Sequence, residues 1–421
     1  MSFLSQARIS RTMKFGASLA LILLLCMPAW GGGSGPIKVL DMGATATWLS
    51  PVPLWGKVEP MLDITFIPST IPIQGMATPD LEPGRRAMRL YFPRTYEQLI
   101  EQDYMIYEHM FMEFFTPAQM DQMYRAIRDD GVGGFVTIGG VTHTSVAPNY
   151  AWINSRLNDA FPSLASEEIF VLWKQYGTKR AKVKINEDPT LAPVLKMFIP
   201  LGMDNIVQPL VYFMAAKEGA KIWAWSDDGL DKPPFLISWT YGKGETWSNT
   251  LGMGYAWWRL DQPSQGGNPF ALDVFMNMLF YSTGRELPND ILKVHTVRQG
   301  LINYEEAKSW VLSVVDFADR FGANTGKLYN EIAAADDIRA EARTVYVQQE
   351  YDQALSLVED ARDYLDGIAE HALRLKDRAL MWTYLIEWLA VLATMILSGQ
   401  VVYALMIRRR LYRGVTSTRS V

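Results

Sequence analysis

Short apolar runs punctuated by glycine and proline fill the first 298 residues, and long helical periodicity fills the remainder. Ile37–Met42 reads as a strand closed by Gly43, and Leu62–Ile67 as a second one stopped by Pro68. Prolines 72, 79, 83 and 93 make the next stretch loop, before a short helix at Tyr96–Ile100 and a third strand at Asp103–Tyr107. Thr116-Pro117 is a helix start, with the hydroxyl capping amides and proline filling the first turn. Met120, Met123, Tyr124 and Ile127 give that helix one apolar stripe, and Gly131 ends it. Gly134–Ile138 reads as a buried strand running into Gly139-Gly140. Strands alternating with helices predict an α/β unit with a mainly parallel, helix-flanked sheet of flavodoxin type. Lys221–Trp225, Phe235–Trp239 and Gly242–Trp247 read as a small antiparallel section, and Ala271–Tyr281 as a last helix with Leu272, Phe275, Leu279 and Phe280 on one face.

After His295 the pattern lengthens. Asn303 with Glu306 is a capping-box signature, followed by the stripe Ala307, Trp310, Val311, Val314, Phe317, Ala318 and Phe321 up to Gly322. From about Lys327 a second tract carries Tyr351, Val358, Leu365 and Ala372 at heptad spacing, and Ala354, Ala361, Ile368 and Leu375 likewise. Such a seam builds a helical hairpin or coiled-coil stalk, with packing on its own first helix the plainer arrangement and a homo-oligomer the other. Leu389–Ile407 then offers 19 residues without a charge, enough to span a bilayer core, flanked by Trp382, Tyr384 and Trp388 before it and Arg408-Arg409-Arg410 after it. At the other end, Arg8, Arg11 and Lys14 precede the apolar run Phe15–Met27, as in a secretory signal. The expected plan is a signal peptide at 1–31, an α/β domain at 36–298, a stalk at 303–380, a transmembrane helix at 382–407 and a basic cytoplasmic tail at 408–421. Such a chain is a single-pass cell-membrane protein with its bulk extracytoplasmic.

Composition removes several chemistries. Cys26, the one cysteine, lies within the signal-like run, so the mature chain would have neither disulfide nor thiolate. The four histidines show no metal-ligand spacing, so no metal or other cofactor is expected. A net charge of −5 argues against nucleic acid as partner.

Two segments carry a family resemblance. Asp103-Tyr104-Met105-Ile106, the helix opening at Thr116-Pro117 and Arg128–Gly140 resemble the glutamine-amidotransferase-like fold in its trehalose-utilisation-type branch. Trp239–Gly252, containing Tyr241-Gly242-Lys243-Gly244, is similar to a late motif of that family, and Phe270–Gly284 matches its closing helix. The resemblance covers roughly residues 36–290 and implies fold more than activity. Members with activity use a cysteine nucleophile with His and Glu; here the cysteine is missing, Met253 stands at a usual histidine and Glu245 at a usual basic residue.

What remains for chemistry is the loop after the fourth strand. Gly139, Gly140, Thr142 and His143 are the candidate ligand-binding residues, because loops at parallel strand ends hold ligands. His143, Ser145 and Glu108 are the candidate catalytic residues, although a polar loop and a structural Glu108-His109 pair are the plainer readings. Asp227, Asp228 and Asp231 read as a hairpin turn more readily than as a calcium loop, and the tryptophans from Trp223 to Trp258 as core more readily than as a sugar platform. The resulting expectation is a non-enzymatic membrane-anchored module that binds a protein partner or an envelope glycan. The alternative is a hydrolase acting on a glycan or amide through Ser145 and His143.

Overall fold

The computed structural model describes residues 35–43, 50–68, 82–110, 112–142, 148–177, 179–250, 252–259 and 267–417. These divide between Ile291 and Leu292 into two compact units. In the first, β1 (Ile37–Gly43) leads to α1 (Val52–Val58) and β2 (Leu62–Pro68), then α2 (Glu82–Tyr91), α3 (Tyr96–Ile100) and β3 (Tyr104–Glu108). Helix α4 (Pro117–Arg125) and a π turn at Ala126–Asp130 return the chain to β4 (Gly133–Thr137). Two four-residue helical turns and α5 (Glu167–Tyr176) precede β5 (Lys179–Ile185), β6 (Val207–Val211), β7 (Lys221–Asp227), β8 (Pro234–Tyr241) and β9 (Gly244–Asn249), and α6 (Ala271–Ser282) closes the unit.

All nine strands form one sheet in the order β2-β1-β3-β4-β9-β8-β7-β5-β6. The first five are mutually parallel, and every pairing from β9 onward is antiparallel. The sheet is therefore mixed, and a mainly parallel one overstates half of it. Short connections enforce this: Gly242-Lys243 joins β8 to β9 in two residues, which only antiparallel neighbours can share. Strand β5 went unread although Arg180, Lys182 and Lys184 alternate with buried Ala181, Val183 and Ile185, because its pairing is set by β6 and β7 farther along the chain.

Central strands are buried on both faces, so they read as near-continuous apolar runs; all five residues of β3 and of β4 are buried. Leu40, Met42, Met105, Tyr107 and Val136 belong to one core cluster with Leu99, Met123 and Ile127. Strand alternation sends the intervening residues, Asp41, Ile106, Glu108, Phe135 and Thr137 among them, to the opposite face.

The second unit holds α7 (Ile291–Arg320), α8 (Gly326–Val347) and α9 (Tyr351–Ser417). Asn303 does not open a helix. Val294, Val297 and Leu301 are buried ahead of Tyr304 and carry the apolar stripe back to Ile291, so burial overrides the capping signature. The tract from Lys327 is two helices, parted at Gln348–Glu350 where Gln349 takes φ 64°. Ala361, Leu365, Ile368 and Ala372 of α9 share a core with Val311 and Val315 of α7 and Leu328 and Ile332 of α8. Farther along, α9 is long and apolar enough to cross a membrane, and its apolar window is wholly exposed. The signal-like segment lies outside the described residues.

Candidate functional site

Strand order marks one position on the sheet as the expected place for a ligand. From β1 the chain goes one way to β2 and the other way to β3, so the loops leaving their carboxyl ends diverge, and ligands of open α/β sheets bind at such a switch point. Polar residues collect there. Gly43 pairs with Glu108, Thr137 pairs with Asn249, and Glu108 follows the Tyr107–Val136 pair, so one row crosses four strand ends. Glu108, Thr137 and Asn249 are each 0% exposed, and Asp41, one step back on the same face, is 2% exposed. Burying such groups is costly unless something requires them.

Glu108 is held from two sides. The backbone N–H of Met253, in the loop after β9, donates to its Oε1. The buried Ser50 hydroxyl, which also accepts from the Val52 amide at 3.2 Å, is its second hydrogen-bond partner. Three acceptors at this edge, both Asp41 carboxyl oxygens and Glu108 Oε2, have no hydrogen-bond partner among the described residues. Burial pushes the Glu108 carboxyl up to about 7 against the opposing pull of Ser50 and Met253. Burial, then the charge of Glu108, raises Asp41 well above the ordinary carboxylate range.

Backbone conformation shapes this edge. Gly43 has φ 144°, and a Cβ there would lie 1.7 Å from the Glu108 carbonyl oxygen, so only glycine lets β1 run this close to β3. His109 adopts φ 50°, uncommon for a residue with a side chain, and its imidazole lies against Gly252. Burial lowers that imidazole to about 4, leaving it neutral at pH 7. Strained residues of this kind concentrate at binding and catalytic sites.

Of the sequence candidates, Glu108 is at the centre of this edge. Gly139, Gly140 and Thr142 lie in the π turn Ile138–Thr142 that follows β4, with the Gly139 amide donating to the Thr250 carbonyl at 3.4 Å. His143 and Ser145 lie outside the described residues. Asp41 was missed, because a single acid two residues before the end of β1 shows nothing until Glu108 of β3 is set beside it. Met253 contributes its backbone amide, so its departure from histidine leaves this contact intact.

Other motifs resolve as structure. Glu245 accepts from Ser238 at 2.6 Å and Thr240 at 2.7 Å with Lys221 3.8 Å away, a polar knot between strands. Asp228 accepts from the Leu230 and Asp231 amides and pairs with Lys179 at 2.9 Å, as a turn residue does. Trp223, Trp247, Trp257 and Trp258 are core, with Trp223 stacked on Trp247 at 5.1 Å.

No protein-family model matches the chain, and no curated protein matches it. Among solved structures it is similar to a cytoplasmic protein from Salmonella typhimurium, with TM-score 0.41 and 15% identity over 58% of this chain and 99% of that one. A second cytoplasmic protein, from Salmonella typhimurium LT2, aligns with TM-score 0.39 and 14% identity over the same shares.

Proposed function

We propose that this chain is a membrane-anchored binding module whose ligand sits outside the carboxyl ends of β1 and β3, with the α/β unit on the extracytoplasmic side. The observation that carries the reading is the set of buried Asp41 and Glu108 oxygens lacking partners among the described residues, at the sheet's switch point. The anchor is the apolar stretch of α9, and Arg408, Arg409 and Arg410 after it favour a cytoplasmic C-terminus. The parallel order β2-β1-β3-β4-β9 has the doubly wound pattern of flavodoxin-type sheets and supports the amidotransferase-like reading, and a mature chain without a thiol fits such a frame turned from catalysis to binding. An envelope component or a protein partner outside the cell is the expected occupant.

The test is a thermal-shift screen of full-length protein in lipid nanodiscs against sugars, amino acids, amines and envelope fragments. A ligand whose stabilisation disappears in both Asp41→Asn and Glu108→Gln supports the reading. Ligands that stabilise both variants as well as the wild type place the site elsewhere. One observation favours a second reading: a carboxyl poised near neutral pH suits general acid–base chemistry, so Glu108 would serve a hydrolase. Turnover of a glycan or amide that vanishes in Glu108→Gln would bring that reading forward.

A further inference from the structure

Once both carboxyl groups are ionised, the donors missing from this edge have a definite number and sign. Asp41 Oδ1, Asp41 Oδ2 and Glu108 Oε2 are three buried acceptors without partners among the described residues, while Glu108 Oε1 is already engaged by the Met253 amide. A neutral hydroxyl brings its own lone pairs toward carboxylate lone pairs and leaves the charge uncompensated. A planar guanidinium presents five donors in a fixed fork, so at least two of the three oxygens would have to accept twice. Divalent magnesium or calcium takes about six or more oxygen ligands, so two carboxyl groups would leave most of the shell to water, which this fully buried edge does not offer. A primary ammonium offers three rotatable N–H donors and one positive charge.

Resting on the binding-module reading, we propose that Asp41 and Glu108 recognise the primary ammonium group of a small ligand at the carboxyl ends of β1 and β3. The titratable groups described at this edge are Asp41 on β1, Glu108 at the end of β3 and His109 directly after it. Strands β4 and β9 bring Thr137 and Asn249, and the segment before α1 brings Ser50, none of which titrates in the accessible range. His109 stays neutral from pH 6 to 8, so the pH response belongs to the carboxyl pair. An ammonium binds the ionised pair, so occupancy expels the proton that Glu108 holds below about 7. Affinity therefore rises with pH, by about tenfold from pH 6 to pH 8 for Glu108 alone and by more where the raised Asp41 also loses a proton.

Full-length protein in nanodiscs is titrated calorimetrically with methylammonium, tetramethylammonium and ethylene glycol at pH 6, 7 and 8. The expected result is methylammonium binding that strengthens at least about tenfold across this range, releases protons into the buffer, and is lost in Asp41→Asn and Glu108→Gln. Tetramethylammonium, which has charge without N–H donors, should not bind. Equal binding of the two cations, or methylammonium affinity independent of pH, overturns the assignment without needing either variant. Ethylene glycol binding that depends on Asp41 while methylammonium stays silent sinks the ammonium assignment alone and leaves this edge as a ligand site.

Discussion

A carboxyl group that is harder to ionise in the fold than in the unfolded chain withdraws stability as the pH climbs. Glu108 rises from an ordinary 4.5 to about 7, so the folded α/β unit holds a proton that the unfolded chain has released. Its contribution is complete below pH 4.5 and is lost as the pH rises through 7, about 3 kcal/mol in all. Urea unfolding followed by tryptophan fluorescence between pH 5 and 8.5 should show that decline, and Glu108→Gln should flatten it. A wild-type curve with no slope in this interval would contradict the burial argument. Backbone geometry gives a second test: Gly43→Ala should cost more than about 2 kcal/mol, since its Cβ would meet the Glu108 carbonyl, and an unchanged unfolding midpoint would show that the strands can separate. At this scale the sequence was legible where a residue announces its backbone role, as Gly43 and Thr116 do. Asp41 was illegible because one acid inside an apolar run looks like a strand interior until a neighbouring strand sets a second acid beside it.

Among the elements, those with local determinants were the readable ones. Thr116 caps α4 by accepting from the Gln119 amide at 3.2 Å, as its place before Pro117 implied, and the Thr116 amide donates in turn to the Gln119 side chain at 2.9 Å. Thr116→Ala should lower stability by about 1 kcal/mol, measured as a shift in urea midpoint at constant slope. The Asn303 signature has the same local grammar and failed, because apolar residues upstream found burial that a cap cannot outweigh. Antiparallel strands β5 and β6 were unread for the opposite reason: their pairing is decided by distant partners. In the helical unit, Ile368 is 3% exposed, so Ile368→Asp should loosen the bundle of α7, α8 and α9 by several kcal/mol. Circular dichroism should show a lost helical transition while tryptophan fluorescence of the α/β unit holds; simultaneous collapse of both signals would mean that the units do not fold separately.

For the molecule as a whole, topology is the prediction with the most consequence. Protease added to intact cells should remove the α/β unit and spare a tag placed after Val421; a tag cleaved from outside would reverse the orientation. The sequence displayed the long apolar stretch of α9 plainly, since charge-free length is a one-dimensional property, whereas the row of polar strand ends needed a strand order that no single segment contains. Helix α9 adds a constraint of its own. It runs unbroken from the buried seam at Ile368 into the apolar stretch beginning at Leu389, about 30 Å along one axis. Seam and apolar stretch are thus phase-locked: one residue inserted between them turns the stretch by about 100° relative to the seam, and seven residues nearly restore the original bearing. With that stretch as the proposed anchor, any process that depends on which of its sides faces a neighbour in the membrane inherits that seven-residue rhythm.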